Sequence, residues 1–224
     1  MSEATQIVAI DGPAGAGKST TAKHVARILG FAFLDTGAMY RSATWWALDQ
    51  GVDLDDPEAL AANTAKMTLE IEETDRGQVV RVNGVDVSDA IRTPAITNLI
   101  YKLDQNSSVR AQLVALQRRF GEQQPTVAEG RDIGTVVFPK AKCKIFLDAS
   151  LDARTERRAR QLREKGSPVD WDKLRADLHE RDEQSRNRAD SPLKQAEDAI
   201  LLDTTLLTFE EAVDEIVALA RKAL

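Results

Sequence analysis

The sequence predicts an α/β fold: a five-stranded parallel sheet flanked by helices, with a small antiparallel β insertion. Five short apolar runs are typical of buried strands, and they lie at residues 7–10, 31–34, 126–128, 144–147 and 199–202. Helical patterns separate these runs, which favours parallel pairing through crossover helices. Residues 67–87 differ because apolar and polar side chains alternate there, as they do in antiparallel strands.

Length and charge narrow the class of protein before any motif is considered. A chain of 224 residues fits one α/β domain with an insertion or two small domains, and we expect a single domain over residues 1–224. The net charge of −6 argues against a general nucleic-acid-binding surface. No apolar run approaches the ~20 residues that span a bilayer. We therefore expect neither nucleic acid nor a membrane as a partner.

We expect a cytoplasmic protein from the cysteine content and the N-terminal residues. Cys143 is the single cysteine, which excludes an intrachain disulfide and fits a reducing compartment. The first apolar stretch is only about five residues long, too short for the core of a signal peptide. Cys143 stands at the start of an apolar run, and we interpret it as a packed thiol.

Several element boundaries are legible from capping and turn residues. A helix is expected at residues 18–29, ended by Gly30. Thr208 and Glu211 form the pattern of a capping box, which opens an amphipathic helix at the end of the chain. Within the insertion, turns are predicted at residues 75–77 and at Asn83 and Gly84.

The most informative motif is a glycine loop between the first predicted strand and the first predicted helix. It matches the phosphate-binding loop pattern in full. Glycines allow main-chain N–H groups to converge on phosphate oxygens, and the helix N-terminus adds a partial positive charge. Lys18 is suited to the β- and γ-phosphates of a nucleoside triphosphate. The residues predicted to bind ATP are Gly12, Pro13, Ala14, Gly15, Ala16, Gly17, Lys18, Ser19 and Thr20.

Acidic residues follow each of the five predicted strands, at the edge of the sheet where α/β proteins bind ligands. These residues are Asp11, Asp35, Glu129, Asp148 and Asp203. The hydroxyl of Ser19 is placed for Mg²⁺ in this loop pattern. Its carboxylate partner stays open among Asp11, Asp35 and Glu129.

A second anion site decides which kind of phosphate-loop protein this is. No asparagine is followed by lysine, so the Asn-Lys-x-Asp motif by which GTPases recognise the base is missing, which argues against a GTPase. Thr36 and Arg41 follow the second strand and Arg131 follows the third, so a hydroxyl and two guanidinium groups are available for a monoester phosphate. That set favours a nucleoside monophosphate kinase. The alternatives are a kinase for UMP or AMP, and a nucleotide-binding switch or regulatory ATPase.

Seven segments together closely resemble the bacterial cytidylate kinase family, and they span essentially the whole chain. They are DGPAGAGKST, LDTGAMYR, IRTPAI, the VR pair ending at Arg110, EGRDIGTVVFP, KIFLDAS and ERDEQSRNRADSPL. The resemblance implies the phosphate-loop nucleoside monophosphate kinase fold and transfer of the γ-phosphate of ATP to CMP and dCMP, with Mg²⁺. It also implies that residues of about 56–100 form an enlarged monophosphate-binding region and those of about 154–168 a short lid.

The resemblance assigns the acceptor site residue by residue. Asp132 and Arg110 match the family's cytosine-reading pair, and their chemistry agrees: a carboxylate accepts from the exocyclic amine, and a guanidinium donates to N3 and O2. Arg41, Arg131 and Arg188 match the clamp on the monophosphate, with Thr36 beside it. Two positions depart from the family. Tyr101 stands where a small serine is common near the base, and Ser185 where an aspartate is common near the sugar, so we expect altered discrimination between CMP and dCMP.

The same resemblance assigns the catalytic groups, which are all cationic. Arg157 and Arg158 match lid arginines that cover the triphosphate, and Arg181 assists from the next helix. With Lys18 and Arg131 they imply catalysis by positioning and charge neutralisation, without a covalent intermediate. We expect the protein to be a monomer.

Overall fold

The computed structural model describes residues 6–74, 77–164 and 166–224. The chain divides into two compact units, one made of Met1–Leu34 with Phe120–Leu224 and the other of Asp35–Arg119. We call them the sheet unit and the second unit. The turn predicted at residues 75–77 falls on residues 75 and 76, which lie outside the described part of the chain.

Strands and helices alternate through most of the described residues. The strands are β1 (Ile7–Asp11), β2 (Ala32–Asp35), β3 (Leu69–Thr74), β4 (Gly77–Val82), β5 (Val85–Asp86), β6 (Thr126–Gly130), β7 (Cys143–Asp148) and β8 (Ile200–Asp203). The helices are α1 (Lys18–Leu29), α2 (Thr36–Asp49), α3 (Pro57–Thr64), α4 (Pro94–Asp104), α5 (Ser107–Gln123), α6 (Leu151–Glu164), α7 (Trp171–Arg186) and α8 (Phe209–Ala223). A 3₁₀ turn (Ala90–Arg92) and a π-helical turn (Ile133–Val137) complete the order.

The five predicted strands form one sheet in the order β2-β6-β1-β7-β8, which confirms the predicted fold class. β1 pairs in parallel with β6 and β7, and β7 pairs in parallel with β8. In this register Asp11 lies opposite Gly130. The loop after β1 and the loop after β6 therefore leave the sheet side by side.

Packing of α1 and α8 against the sheet forms the core of the sheet unit. Val8 and Ile145 from the strands cluster with Val25 of α1 and Ile216 of α8. The predicted capping box is confirmed, since Thr208 Oγ1 accepts from the Glu211 amide at 3.2 Å and the Glu211 carboxylate accepts from the Thr208 amide at 2.8 Å. Gly30 ends α1 in the left-handed region, as predicted.

The second unit contains the predicted antiparallel sheet, in the order β3-β4-β5. Asn83 and Gly84 both have positive φ, which matches the tight turn predicted between β4 and β5. Apolar residues of the sheet and of α2 to α5 share a core that includes Leu60, Val80 and Leu103. The unit, Asp35–Arg119, includes the residues of about 56–100.

The Cys143 thiol and the lengths of the helices bear on two of the predictions. Cys143 is a free, buried thiol, and burial raises its pKa to about 11, as expected of a packed cysteine. Among the helices of the described ranges, none has the length and apolar character that a bilayer crossing requires.

Candidate functional site

The glycine loop joins β1 to α1 and has a backbone that only glycine supplies. A Cβ atom on Gly12 would lie 2.0 Å from the main-chain oxygen of Leu147, so no other residue fits there. Gly17 precedes α1 with φ of 91°, and no side chain of the described residues caps that helix end. The first N–H groups of α1 are therefore the natural anion donors of the loop.

Lys18 lies at the start of α1 with its ammonium group buried. Its Nζ donates to the main-chain oxygen of Pro13 at 2.7 Å, which turns the side chain back over the loop. Burial, followed by repulsion from Arg131, lowers the pKa of Lys18 to about 7, against the opposing effect of Glu129. Arg131 follows β6, which pairs with β1 directly beside the loop that Lys18 ends.

Ser19 and Glu129 form the oxygen pair that fits a divalent cation. Ser19 Oγ donates to Glu129 Oε1 at 2.6 Å, and Glu129 is buried at the carboxyl end of β6. A hydroxyl and a carboxylate are hard oxygen donors of the kind Mg²⁺ takes alongside phosphate oxygens and water. Of the three carboxylates left open by the sequence, Glu129 is the one bonded to Ser19.

Asp11 makes two bonds to the main chain of the loop after β6. Its two carboxylate oxygens accept from the amides of Ile133 and Gly134, each at 2.7 Å. Burial is the main reason that its pKa is raised to about 7. Asp11 therefore fixes the segment that carries Arg131 and Asp132, and both of its oxygens already have protein donors.

Asp132 and Arg188 lie together at that loop. Arg188 Nη2 is 3.8 Å from Asp132 Oδ1, and both side chains are buried. Arg188 Nε also donates to the main-chain oxygen of Asp190 at 2.8 Å, and its Nη2 to that of Ser191. The structure thus brings a predicted cytosine-reading residue and a predicted phosphate-clamp residue to one place in the sheet unit.

The two predicted lid arginines differ in their surroundings. Arg157 is half-buried and donates to the main-chain oxygen of Ala16 at 3.2 Å and to Thr204 Oγ1 at 3.0 Å. Burial lowers its pKa from the usual arginine range. Arg158 is exposed and donates to Gln161 Oε1 at 3.2 Å. Arg157 is thus bound to the phosphate loop, whereas Arg158 lies on the solvent side of α6.

Arg181 and Ser185 lie one turn apart on α7. Ser185 Oγ donates to the main-chain oxygen of Arg181 at 2.9 Å, within the helix. Both side chains are half-buried. The serine hydroxyl has a local bond that the aspartate common in the family would not make, because a carboxylate cannot donate.

In the second unit, Asp35 and Arg41 form an ion pair at the start of α2. Asp35 caps the helix by accepting from the Ala38 amide at 2.7 Å, and its other oxygen accepts from Arg41 Nη2 at 2.9 Å. A Cβ atom on Gly37 would lie 2.9 Å from Arg41 Nη1, so the glycine makes room for this pair. Thr36 is buried as the first residue of α2. Both Asp35 oxygens thus accept from protein N–H groups of α2, whereas the bond to Ser19 is made by Glu129.

Arg110 is a buried cation on α5 in the same unit. Its guanidinium carbon lies 5.7 Å from the centre of the Tyr40 ring, and its Nη1 is 3.4 Å from the main-chain oxygen of Asp104. Tyr101, on α4, is half-buried and lies under the ammonium group of Lys102 at 5.4 Å. The Tyr40 ring thus restricts the orientation of the Arg110 guanidinium, which suits the hydrogen bonding to a planar base that is predicted for this residue.

Sequence reasoning missed Asp182, which is buried on α7 and binds the phosphate loop. Its Oδ1 accepts from the Ala14 amide at 2.8 Å. The residue lies in a stretch so rich in charges that it is typical of a solvated helix face. Spacing alone gives no signal that one of those acids faces inward.

The lowered pKa of Lys18 makes a prediction for triphosphate binding. At about pH 8 much of Lys18 is neutral in the empty site, and phosphate oxygens favour its charged form, so binding should take up about one proton per site. Above about pH 7 the affinity should then weaken, by at most about tenfold per pH unit. Calorimetry of ATP binding in buffers of different ionisation enthalpy measures the uptake.

Lys18→Arg is the matched control for this measurement. A guanidinium stays charged throughout the range, so proton uptake should fall in this variant to the share that belongs to Asp11, whose pKa is also about 7. Equal uptake in the variant and the natural protein, or none in either, would contradict the role given to Lys18.

Comparison with known proteins extends over nearly the whole chain. The family model described as cytidylate kinase matches residues 8–222. A cytidylate kinase of Enterococcus faecalis is 45% identical over 206 residues, covering 92% of this chain and 91% of that protein. A bifunctional pantoate ligase/cytidylate kinase of Synechocystis sp. is 48% identical over 219 residues, covering 96% of this chain but 43% of that longer protein.

A solved structure agrees at the level of the fold. The crystal structure of an uncharacterized protein from Eubacterium ventriosum is 13% identical and aligns with a TM-score of 0.54, covering 97% of this chain and 99% of that one. Its likeness shows the fold alone. With a family model over residues 8–222 and relatives above 40% identity, the chain belongs to the cytidylate kinase family, and it is a nucleoside monophosphate kinase that acts on small-molecule nucleotides with a nucleotide phosphate donor.

Proposed function

We propose that the protein transfers the γ-phosphate of ATP to CMP, and also to dCMP, giving ADP and CDP or dCDP. The observation that carries this proposal is that the segment with Arg131 and Asp132 leaves β6 beside the glycine loop, where Asp11 holds it through the amides of Ile133 and Gly134. A site for one nucleotide needs a single cluster of positive charge. Two polyanions that must approach each other need a second one, because they repel until both are neutralised.

ATP is assigned to the glycine loop, from Gly12 to Thr20. The loop amides and the start of α1 suit the β-phosphate, and Lys18 suits the β- and γ-phosphates between which the bond breaks. Support comes from the positive φ of Gly15 and Gly17 and from the absence of space for a side chain at Gly12. These features leave the loop main chain open to phosphate oxygens.

Mg²⁺ is assigned to the Ser19 hydroxyl, with Glu129 reaching it directly or through water. When bound there, the ion would supply positive charge that offsets the charge of the phosphates. The bond of 2.6 Å between Ser19 and Glu129 supports this choice over Asp11 and Asp35, whose oxygens accept from protein N–H groups.

CMP is assigned to two sets of side chains, one for its phosphate and one for its base. Arg41, Arg131 and Arg188, with the Thr36 hydroxyl, would hold the monophosphate. Asp132 would accept from the cytosine amine and Arg110 would donate to N3 and O2, whereas uracil would bring an oxygen towards the Asp132 carboxylate. The burial of Asp132 and Arg110 supports strong discrimination, since an unmatched polar group is costly there. Tyr101 and Ser185 would adjoin the base and the sugar.

In the reaction itself, an oxygen of the acceptor phosphate forms a bond to the γ-phosphorus while the bond to the β–γ bridging oxygen breaks. Lys18, Arg131, Arg157, Arg158 and Arg181 are the proposed catalytic residues, acting on the charge of the transferring group and of the leaving ADP. Phosphoryl transfer needs positioning and electrostatic stabilisation above all, and cationic side chains supply both. The link of Arg157 to the main chain of Ala16 supports a place beside the triphosphate.

The larger organisation is proposed from the family resemblance. Residues 1–224 would act as a single kinase domain, with an enlarged monophosphate-binding region at about 56–100 and a short lid at about 154–168. We also propose a monomer that works in the cytoplasm, which fits the buried free thiol of Cys143.

The direct test is a coupled assay of ADP formation with ATP as donor and the common monophosphates as acceptors. CMP should be the best acceptor, with dCMP next and UMP lower by an order of magnitude or more, because the carboxylate of Asp132 opposes O4 of uracil. Turnover with AMP alone, or slow ATP hydrolysis that no acceptor accelerates, would overturn the proposal.

Asp132→Ala tests the division of labour between the two nucleotides. The change should lower kcat/KM for CMP by about 100-fold or more, since a buried acceptor of the cytosine amine is lost. Binding of ATP measured alone should change by less than about threefold, because Asp132 is assigned to the acceptor and not to the triphosphate. Loss of ATP affinity as large as the loss of CMP turnover would show that Asp132 belongs to the donor site.

Ser185→Asp tests the sugar contact. A carboxylate at this position accepts from a ribose hydroxyl with charge assistance, so the preference for CMP over dCMP should rise by about three- to tenfold. The measurement is the ratio of kcat/KM for the two acceptors, which cancels general losses of activity. An unchanged ratio would exclude Ser185 from the sugar site.

A further inference from the structure

A buried ion pair joins the two charged helices of the sheet unit. Arg154 on α6 and Asp182 on α7 are linked by Nη1 and Oδ2 at 2.5 Å, and their side chains are 6% and 1% exposed. Arg154 Nε also donates to the main-chain oxygen of Ala149 at 2.9 Å. A pair so far out of water is held only where its remaining hydrogen-bonding capacity is filled.

The remaining capacity of both partners is filled by the phosphate loop. The other carboxylate oxygen of Asp182, Oδ1, accepts from the Ala14 amide at 2.8 Å. Arg154 Nη1 donates to the Ala14 main-chain oxygen, also at 2.8 Å. The ion pair therefore bonds to two successive peptide groups of the loop. Asp182 binds the N–H of the Pro13–Ala14 peptide, and Arg154 binds the C=O of the Ala14–Gly15 peptide. Both bonds are charge-assisted.

Close packing around Gly15 also restricts the conformation of the loop beside these two bonds. A Cβ atom built on Gly15 would lie 3.3 Å from Arg154 Cβ and 3.6 Å from Leu178 Cδ2. The next turn of α6 adds a further bond, from Arg157 Nη1 to the Ala16 main-chain oxygen. Alternate carbonyls of the loop, at Ala14 and Ala16, are thus both turned towards α6 and held there by guanidinium groups.

We infer that Arg154 and Asp182 are positioning residues for the donor site: the pair fixes the peptide planes of Ala14 so that the following amides of the loop point at the phosphates. Neither residue needs to touch the nucleotide for this. The inference rests on the proposed function in taking a nucleoside triphosphate as the ligand of the loop, and it holds for any acceptor.

An exposed ion pair between the same two helices provides a matched control. Asp152 on α6 and Arg175 on α7 are joined at 2.7 Å, with side chains 70% and 48% exposed. This pair also bridges α6 and α7 but has no recorded bond to the loop among the described residues. Asp152→Asn and Arg175→Gln should therefore leave ATP affinity and kcat within about twofold.

The first variants change the pair by substitutions of similar size. Arg154→Lys retains the charge opposite Asp182 but loses the planar fork, and it should weaken ATP binding by about three- to tenfold. Asp182→Asn should weaken it by about tenfold or more, since the Ala14 amide loses a charged acceptor and Arg154 its counterion. ATP affinity is measured by calorimetry without acceptor, and kcat and KM for both substrates are measured alongside it.

A double variant separates positioning from stability. Arg154→Met combined with Asp182→Leu removes both buried charges, so its thermal midpoint should lie closer to that of the natural protein than the midpoint of Asp182→Asn does. ATP binding should stay as weak as in the single variants, or weaker, because the loop has lost both anchors. A role confined to stability would instead return ATP binding together with the thermal midpoint.

The outcomes distinguish this inference from the proposed function. Natural ATP affinity in Arg154→Lys, in Asp182→Asn and in a folded double variant would overturn the positioning role. Should the double variant not fold, Arg154→Lys is compared with Arg175→Gln, with the fold of each checked by circular dichroism, and equal ATP affinity in these two folded variants would overturn the positioning role. If the protein proves inactive on CMP while these variants lose ATP binding, the acceptor assignment fails and the role of the pair stands.

Discussion

Burial of charge at the ends of β1 and β6 is the constraint on which the site depends. The ammonium group of Lys18 is out of water and beside a second cation, Arg131, so it is stable only because Glu129, Asp11 and Asp182 surround it. An isolated ion in such a place would shift its pKa and lose its charge. The empty site therefore holds Lys18 near its neutral point, and the phosphates of a bound nucleotide supply the missing negative charge. Affinity for polyanions at this site therefore rests on the desolvated ammonium group of Lys18, whose charged form bound phosphates stabilise.

The carboxylates of Asp11 and Asp182 act on the charge of Lys18 and also accept hydrogen bonds from the main chain. Asp11 accepts from two amides after β6, and Asp182 accepts from one amide of the phosphate loop. Each carboxylate thus fixes a loop that must present its neighbours in one orientation. Preset dipoles and charges stabilise a transition state without reorganisation during the reaction, which is the most effective form of electrostatic catalysis.

The sequence was sufficient for the fold but not for the partners of its charged residues. The five strands, the phosphate loop, the Thr208 capping box and the Asn83 turn each follow from local patterns of three to eight residues, and all are confirmed. Strand ends also predicted where acids would gather. Which acid bonds to Ser19 depends on register across β1 and β6, and a sequence does not show register. Asp182 was missed for the same reason, since its partner Ala14 lies 168 residues away.

The bond between Asp182 and the Ala14 amide also affects the direction of the other side chains on α7. Successive residues of a helix are turned by about 100°, so fixing the direction of one side chain fixes the others. With Asp182 held against Ala14, the adjacent Arg181 is directed about 100° away, and Ser185, three residues on, lies within about 60° of Asp182 around the axis. The helix ends at Arg186, two residues before Arg188, which bonds to main-chain oxygens beyond it and reaches Asp132. The contact with the phosphate loop therefore helps to orient the side chains assigned to the transferring phosphate and to the sugar.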